Sequence, residues 1–519
     1  MEGINVGIWS VLPPVIAIAL ALITKEVIFS LVLGILSGAI IYSIAGGLGF
    51  VGIFQTTMDL MGAKLGENAA MVLFLALLGS LVALMTRAGG ARAYGEWAVK
   101  KIKTTRAAGL TTALLGCLIF IDDYFNCLTV GTVMRPVTDR HKISHEKLSY
   151  FIDATAAPVC IIAPISSWAA AVASYAPEGQ GLQLFIQAIP MNLYAILTII
   201  MVIYMGCRPH GDYGPMARAQ KRAYETGQLD LPEASTDKHG EDDLANLKIS
   251  EKGKVLDLVL PVIFLVVFSV LSMLLYGGFF EEGGGNQGNL IGSFGDTSAG
   301  PALALGAFCT LLVTFFIYLP RKIMSFKDFF AAIGSGIKSM VPALIILTLA
   351  WTISGVCRDL LLTGPYVADL VTTSNFPVIL IPVIMFVVAA FISFATGTSW
   401  GTFGILIPIT IDICMTVAPE LNIITLSAVM AGSVFGDHCS PISDTTILSS
   451  TGAHCRHIDH VATQIPYAMT VAAACIPGYL IGGILHNMSF ALDTVITLAI
   501  SIVLLFLALF IAPKVAGGD

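Results

Sequence analysis

Residues 436–446 read Gly436-Asp437-His438-Cys439-Ser440-Pro441-Ile442-Ser443-Asp444-Thr445-Thr446, and this string breaks the otherwise apolar segment Leu421 to Ser450. A carboxylate at membrane depth costs ~2.5–3.5 kcal/mol on insertion scales. Two of them, with several hydroxyls, in one interrupted membrane segment require a purpose. Backbone opened inside a bilayer is tolerated only where it lines a cavity or is buried in protein. Such a segment therefore belongs at a site, as a discontinuous helix.

The rest of the chain supplies the membrane context. Hydrophobic residues make up 56% of the 519 residues, before the 50 glycines are counted, and charged residues only 12%. Ordinary soluble domains reach roughly 45–50% apolar with glycine included, and ~25% charged. No soluble fold of this size hides that much apolar surface, and disorder, coiled coil and secreted disulfide scaffolds are excluded. With 27 basic and 34 acidic residues, net −7, no basic face exists for nucleic acid. The ten cysteines are scattered, mostly in apolar stretches, and read as small reduced residues. The N-terminus lacks a basic n-region and a small-residue cleavage site, so the first apolar run is expected to be retained as a span.

Runs of ~20 apolar residues mark spans at Ile8 to Ile23, Val27 to Ile44, Ala69 to Met85, Phe185 to Met205 and Val255 to Tyr276. Others run from Ala302 to Leu319, Met340 to Val356, Ala462 to Leu485 and Leu492 to Ala512. Three more segments are interrupted like the first: Ala107 to Pro136, Leu148 to Tyr175 and Pro377 to Thr416. The basic connections Arg87 to Arg106 and Arg135 to Lys147 both belong in the cytoplasm. The segment between them thus enters and returns on one side, as a re-entrant hairpin. Of the 27 basic residues only Lys64 and Arg358 then fall outside. The expected fold is all-α and polytopic, with about eleven transmembrane helices, N-terminus outside and C-terminus inside.

The interrupted segments match one another. Pro164-Ile165-Ser166 aligns with Pro441-Ile442-Ser443, Leu148-Ser149 with Leu426-Ser427, and Pro136 with Pro408. Each match is weak alone, but their order and the shared hydropathy pattern are stronger. Each half has an odd number of crossings, so the halves are inverted. This divides the chain into a first inverted repeat (1–207), a cytoplasmic linker (208–254) expected to carry little chemistry, a second inverted repeat (255–488), and a terminal helix with tail (489–519). Inverted repeats with paired discontinuous helices point to a secondary transporter whose site lies at the midplane. Pro and Gly alone would only kink a span, but here the breaks coincide with acidic residues.

The first hairpin tip offers Asp122, Asp123, Tyr124 and Asn126; the second offers Thr398, Ser399 and Trp400. Adjacent helical positions face apart, so one of the paired aspartates can face the site while the other orients the tip. The first broken span offers Asp153, Ser166, Ser167 and Trp168, and the second Asp437, His438, Ser443, Asp444 and Thr445. Carboxylate, hydroxyl and carbonyl oxygens suit a hard cation, which places Na⁺ at Asp437, Asp444 and Thr398. A desolvated aspartate also lets protons compete with the cation, a physical basis for Na⁺/H⁺ exchange. Ser443, Thr445, Ser399, Asp122, Asp123 and Asp153 complete the expected ion and proton set. An organic solute would meet Asn126, Tyr124, Ser166, Ser167, Trp168, Trp400 and His438.

Other chemistries fit less well. Gly397-Thr398-Ser399-Trp400-Gly401 matches G-x-S-x-G, but a nucleophile elbow needs a strand before it, and Pro377 to Ala395 is an apolar membrane run. An aspartyl protease needs two acids sharing a proton, usually in a G-x-G-D context, and position 434 is valine. The cluster His454-Cys455-Arg456-His457-Ile458-Asp459-His460 has metal-ligand types, but its basic character places it in a cytoplasmic loop.

Phe120-Ile121-Asp122-Asp123-Tyr124-Phe125-Asn126, Gly397-Thr398-Ser399-Trp400-Gly401-Thr402 and the 436–446 string resemble the NhaC-like Na⁺/H⁺ antiporter family. The similarity covers most of the chain. It implies membership of the ion transporter superfamily, with hairpin tips at the substrate site, elevator-like motion, frequent homodimers and a bacterial-type inner membrane. It implies Na⁺ and H⁺ as coupling ions, with no cofactor. The family's relatives also carry malate, lactate and amino acids, so Na⁺-coupled carriage of an amino acid or small organic acid is the second reading. An intramembrane hydrolase is the third.

Overall fold

The computed structural model describes residues 3–24, 26–176, 180–230, 249–295, 297–363, 366, 377–441 and 443–516; Asp444 is described for its backbone alone. All of its elements are helices. The first half runs α1 (Leu12–Thr24), α2 (Val27–Ala45), α3 (Gly49–Glu67), α4 (Ala69–Ala88), α5 (Gly90–Lys101), α6 (Thr105–Leu118), α7 (Asp123–Arg140), α8 (His145–Cys160), α9 (Ser167–Ser174), α10 (Gly181–Ala188) and α11 (Leu193–Cys207). Then follow α12 (Gly214–Thr226), α13 (Leu256–Tyr276), α14 (Leu290–Gly295), α15 (Ala299–Tyr318) and α16 (Phe326–Gly355). The last group is α17 (Ile381–Thr396), α18 (Ser399–Val417), α19 (Asn422–Cys439), α20 (Asp444–Ala453), α21 (His457–Leu485) and α22 (Phe490–Ala516).

A bilayer offers the backbone no water, so each span must close its own hydrogen bonds, and helices do so. Among the described residues eight helices are long and apolar enough to cross, or ten if each of two bent pairs forms one span. About eleven were expected from hydropathy. The difference lies in short helices: α1 has 13 residues and α17 has 16, and ~30 Å of hydrocarbon needs about 20. The predicted span Met340 to Val356 is the second part of the 30-residue α16, whose two parts meet at 45°.

Burial is inside out, as lipid requires. On α13, Leu256, Val259, Ile263, Val267 and Leu271 face outward while Ser269 and Ser272 are buried. Hydropathy missed α3 for the same reason. Its outer face carries Phe50, Phe54 and Met58, and its buried face Thr56, Thr57 and Lys64, so polar residues dilute the apolar count.

Two helix-turn-helix units, α6–α7 and α17–α18, and two broken helices, α8–α9 and α19–α20, occur in the same order along the chain. Helix α17 packs along α19, and α20 lies across both α7 and α8. The α7–α20 crossing is set by Gly131 over Gly452, where an added Cβ on Gly131 would stand 2.6 Å from the Gly452 carbonyl carbon. Only glycine lets the two backbones approach this closely.

The stretch after α11 is more than a linker. Asp212 is buried, takes Lys147 Nζ at 2.7 Å and accepts from Tyr467 Oη at 2.8 Å. Arg222 of α12 reaches Glu146 at 2.7 Å, and Gln220 caps the turn before α8 through Ser144 N and the Lys142 carbonyl. Residues 208–230 thus join α8 to α21, while 231–248 lie outside the described residues.

Candidate functional site

The site is built where the four interruptions meet. At the first tip the chain leaves α6 at Ile119 and re-enters helix at Asp123. Asn126 closes this turn: its Nδ2 donates to the carbonyls of Gly116 (2.7 Å), Ile119 (2.8 Å) and Thr155 (3.0 Å). The amide nitrogen holds the tip against α8, while Oδ1 is buried without a protein partner. Asp122 is buried and accepts from Ser167 Oγ at 3.2 Å, while Ser167 N donates to the Ile121 carbonyl at 2.9 Å. The tip therefore docks on the first residue of α9. Asp123, also buried, stands beside Trp168 and within electrostatic range of both Asp122 and Asp437. Tyr124 is half-buried.

At the second tip Gly397 ends α17 in the left-handed region, φ 68°, a conformation that costs other residues about 1–2 kcal/mol. Thr398 caps α18 by accepting from Gly401 N. Ser399 Oγ stands 2.9 Å from Asp437 Oδ2 and 3.1 Å from the Ser433 carbonyl. The second tip then touches α9 through aromatic rings. Trp168 meets Trp400 edge-on at 6.0 Å and Phe403 at 5.3 Å.

Both helix breaks are capped by the serine of the shared Pro-Ile-Ser triplet. Ser166 accepts from Ala169 N at 3.0 Å and reaches the carbonyls of Cys160 and Ala163. Ser443 accepts from Thr446 N at 3.3 Å and lies 3.1 Å from Thr445 Oγ1. Asp444 opens α20, directly after that cap, and its side chain lies outside the described residues.

Asp153 is brought into a different cluster. Its Oδ2 accepts from Thr446 Oγ1, Gln464 Nε2 and His460 Nε2. His438 lies against the Asp153 carbonyl and Tyr194 rather than with the tips. Sequence reasoning missed Gln464 and Tyr194 and put His460 in a cytoplasmic loop. Helix α21 begins at His457, however, and His460 is fully buried. The signal that could have found them was spacing: His460 and Gln464 stand four apart, on one face of a helix. Among the described residues no three His, Cys, Asp or Glu side chains converge to hold a metal ion.

At its other end α9 borders a cavity of about 450 Å³ lined by Glu67, Asn68, Ser174, Thr297, Ser298 and Pro301, among others. Ser174 on its rim lies six residues along the helix from Trp168, roughly 9 Å.

Residues 170–484 match the family model described as the Na⁺/H⁺ antiporter family. The chain belongs to that family. This Na⁺/H⁺ antiporter family member is an all-helical, multi-pass membrane protein and a secondary transporter. It is 40% identical over 497 residues to an uncharacterized protein of Haemophilus influenzae, covering 93% of this chain and 92% of that one. It is 27% identical over 215 residues to the Malate-2H(+)/Na(+)-lactate antiporter of Bacillus subtilis, covering 35% and 43% of the two chains. Among solved structures, MtrF of Neisseria gonorrhoeae aligns over 83% of this chain and 84% of its own at 14% identity, with a TM-score of 0.43. The YdaH transporter of Alcanivorax borkumensis aligns over 81% and 87% at 15% identity, with a TM-score of 0.41.

Proposed function

We propose that this family member exchanges Na⁺ for H⁺ and binds the cation where the second tip meets the broken helices, with Asp437 as the central ligand. One observation carries the reading. Two buried carboxylate–hydroxyl pairs, Asp122 with Ser167 and Asp437 with Ser399, flank Asp123 where four backbone interruptions converge. Three acids so placed repel one another and bind a cation or protons in compensation. Thr398 at the second tip and Ser443 and Thr445 at the second break are proposed as further oxygen donors, with Asp444 as an expected partner from the sequence. The hairpins and broken helices would move as one body against α1–α4, α13, α15 and α16, in a homodimer of the bacterial cytoplasmic membrane. An outside N-terminus and inside C-terminus follow from the basic loops. Lys64 and Arg358, the two basic residues left outside, share Asp359 as partner, at 2.9 and 3.2 Å. The cavity at Glu67 is then the outer entrance.

Purified protein in liposomes with a trapped pH dye, under an outward Na⁺ gradient and no organic solute, tests this. Na⁺-dependent proton movement that K⁺ does not support is expected; silence in sealed vesicles holding folded protein would sink it. The second reading, Na⁺-coupled carriage of a small organic acid, draws on the aromatic wall of Trp168, Trp400 and Phe403 beside the acids and on the relative named for malate and lactate. It predicts instead a Na⁺-dependent thermal shift with one carboxylate or amino acid.

A further inference from the structure

The Asp153 cluster is separate from the tips and has its own logic. Asp153 and His460 both have 0% exposure, and a buried carboxylate needs a compensating charge. Gln464 cannot provide one. Its Nε2 donates to Asp153 Oδ2 at 2.6 Å and to the His438 carbonyl at 2.8 Å, which fixes the amide. His438 is saturated as a neutral ring. Its Nε2 donates to the Asp153 carbonyl at 3.2 Å, and its Nδ1 accepts from Tyr194 Oη at 3.1 Å, an assignment made from the network.

His460 is not saturated. Its Nε2 donates to Asp153 Oδ2 at 3.3 Å, while Nδ1 is buried without a protein partner. A carboxylate that holds one imidazole N–H toward itself leaves the opposite nitrogen as the base and stabilises the imidazolium when that base is protonated. Imidazole is also the side chain suited to carry a proton at physiological pH.

We propose that His460 carries the exchanged proton at Nδ1, with Asp153 as its positioning residue, so that proton and cation occupy different groups. This rests on the exchange reading above. A proton from water adds to Nδ1 on one side and leaves to water on the other, and no other bond changes. The link to the cation runs through Asp153, Gln464 and the carbonyl of His438, the residue after Asp437.

The surroundings of His460 leave it this role. Helix α8 presents Asp153, α19 presents His438 and Cys439, and α7 presents Cys127 within electrostatic range of Asp153. Helix α11 presents Tyr194. On α21 itself Asp459 is paired with Arg456, His457 holds the Pro441 carbonyl, and Tyr467 serves Asp212, itself taken by Lys147. Helix α17 has no titratable side chain, α20 offers only Asp444, α12 turns Arg222 to Glu146, and Asp493 of α22 sits by His486 at the far end.

The test is H460Q, which keeps a donor for Asp153 but cannot carry a proton, in the dye-loaded liposome assay over a pH series. Na⁺-driven proton movement should fall about a hundredfold, the scale of a lost acid–base group, and the residual flux should lose its pH dependence. Na⁺ should still raise the thermal unfolding midpoint of the detergent-solubilised variant as it does in wild type. Proton movement with the wild-type rate and pH profile would overturn the proposal while leaving the exchange reading intact; a silent wild type would overturn both. A second measurement covers a variant that does not fold. In wild type with ¹³C-labelled histidine, Na⁺ addition should produce an imidazole-protonation band in the infrared difference spectrum, and its absence would overturn the proposal.

Discussion

At the first hairpin the carboxylate stands on the tip, at Asp122, and its hydroxyl on the broken helix, at Ser167. At the second hairpin the hydroxyl stands on the tip, at Ser399, and the carboxylate on the broken helix, at Asp437. The carriers are exchanged, and so is their position: Ser167 follows its break, whereas Asp437 precedes its own. A strict duplication would repeat the same order of carriers in both halves. Each pair instead holds one acid on a different element, with Asp123 within electrostatic range of both acids, so the halves contribute unlike parts to the site.

If Asp437 is the ligand and Asp122 the anchor, Asp437→Asn should lower Na⁺-dependent proton flux roughly a hundredfold, the equivalent of about 3 kcal/mol of charged contact. Flux in the reconstituted variant reads this directly, and wild-type exchange would end the assignment. The hydroxyls should separate next. Ser399→Ala should weaken apparent Na⁺ affinity roughly tenfold, as about 1.4 kcal/mol does. Ser167→Ala should change it far less, because Ser167 N still holds Ile121. Equal losses in ²²Na⁺ binding would mean that the two contacts share the ion equally. The smallest effect belongs to the caps. Ser443→Ala should cost about 1 kcal/mol of stability, and Ser166→Ala more, since its hydroxyl also reaches two carbonyls. Thermal unfolding in detergent with the ion absent would show the order, and a reversed order would count against the cap geometry.

The sequence revealed the parts of this site that break hydropathy. Asp122, Asp123 and Asp437 were visible because acids in apolar runs are expensive, and Ser166 and Ser443 because the Pro-Ile-Ser triplet recurs. What it hid were contacts between distant segments. Nothing local shows that the Asn126 amide nitrogen reaches three carbonyls, two of its own turn and one of α8. His460 was masked by its neighbours: Arg456 and His457 made the start of α21 read as a basic loop. Pro136 and Pro408 matched in the sequence, yet counted from the starts of α7 and α18 they lie about one turn apart. Short matches in apolar sequence align residues that the fold does not.

Residues 208–230 grip both halves of the molecule. They do so through Lys147 and Glu146 on one side and through Tyr467 and Thr470 on the other. These contacts predict that covalent continuity across the middle of the chain is dispensable for assembly. Two polypeptides, one ending at Asp230 and one beginning at Ile249, should find each other when co-expressed, because the first carries the handle that fits the second. Such a split protein would allow each half to be labelled, titrated or inherited separately, and it retraces the route by which two shorter genes could have become one.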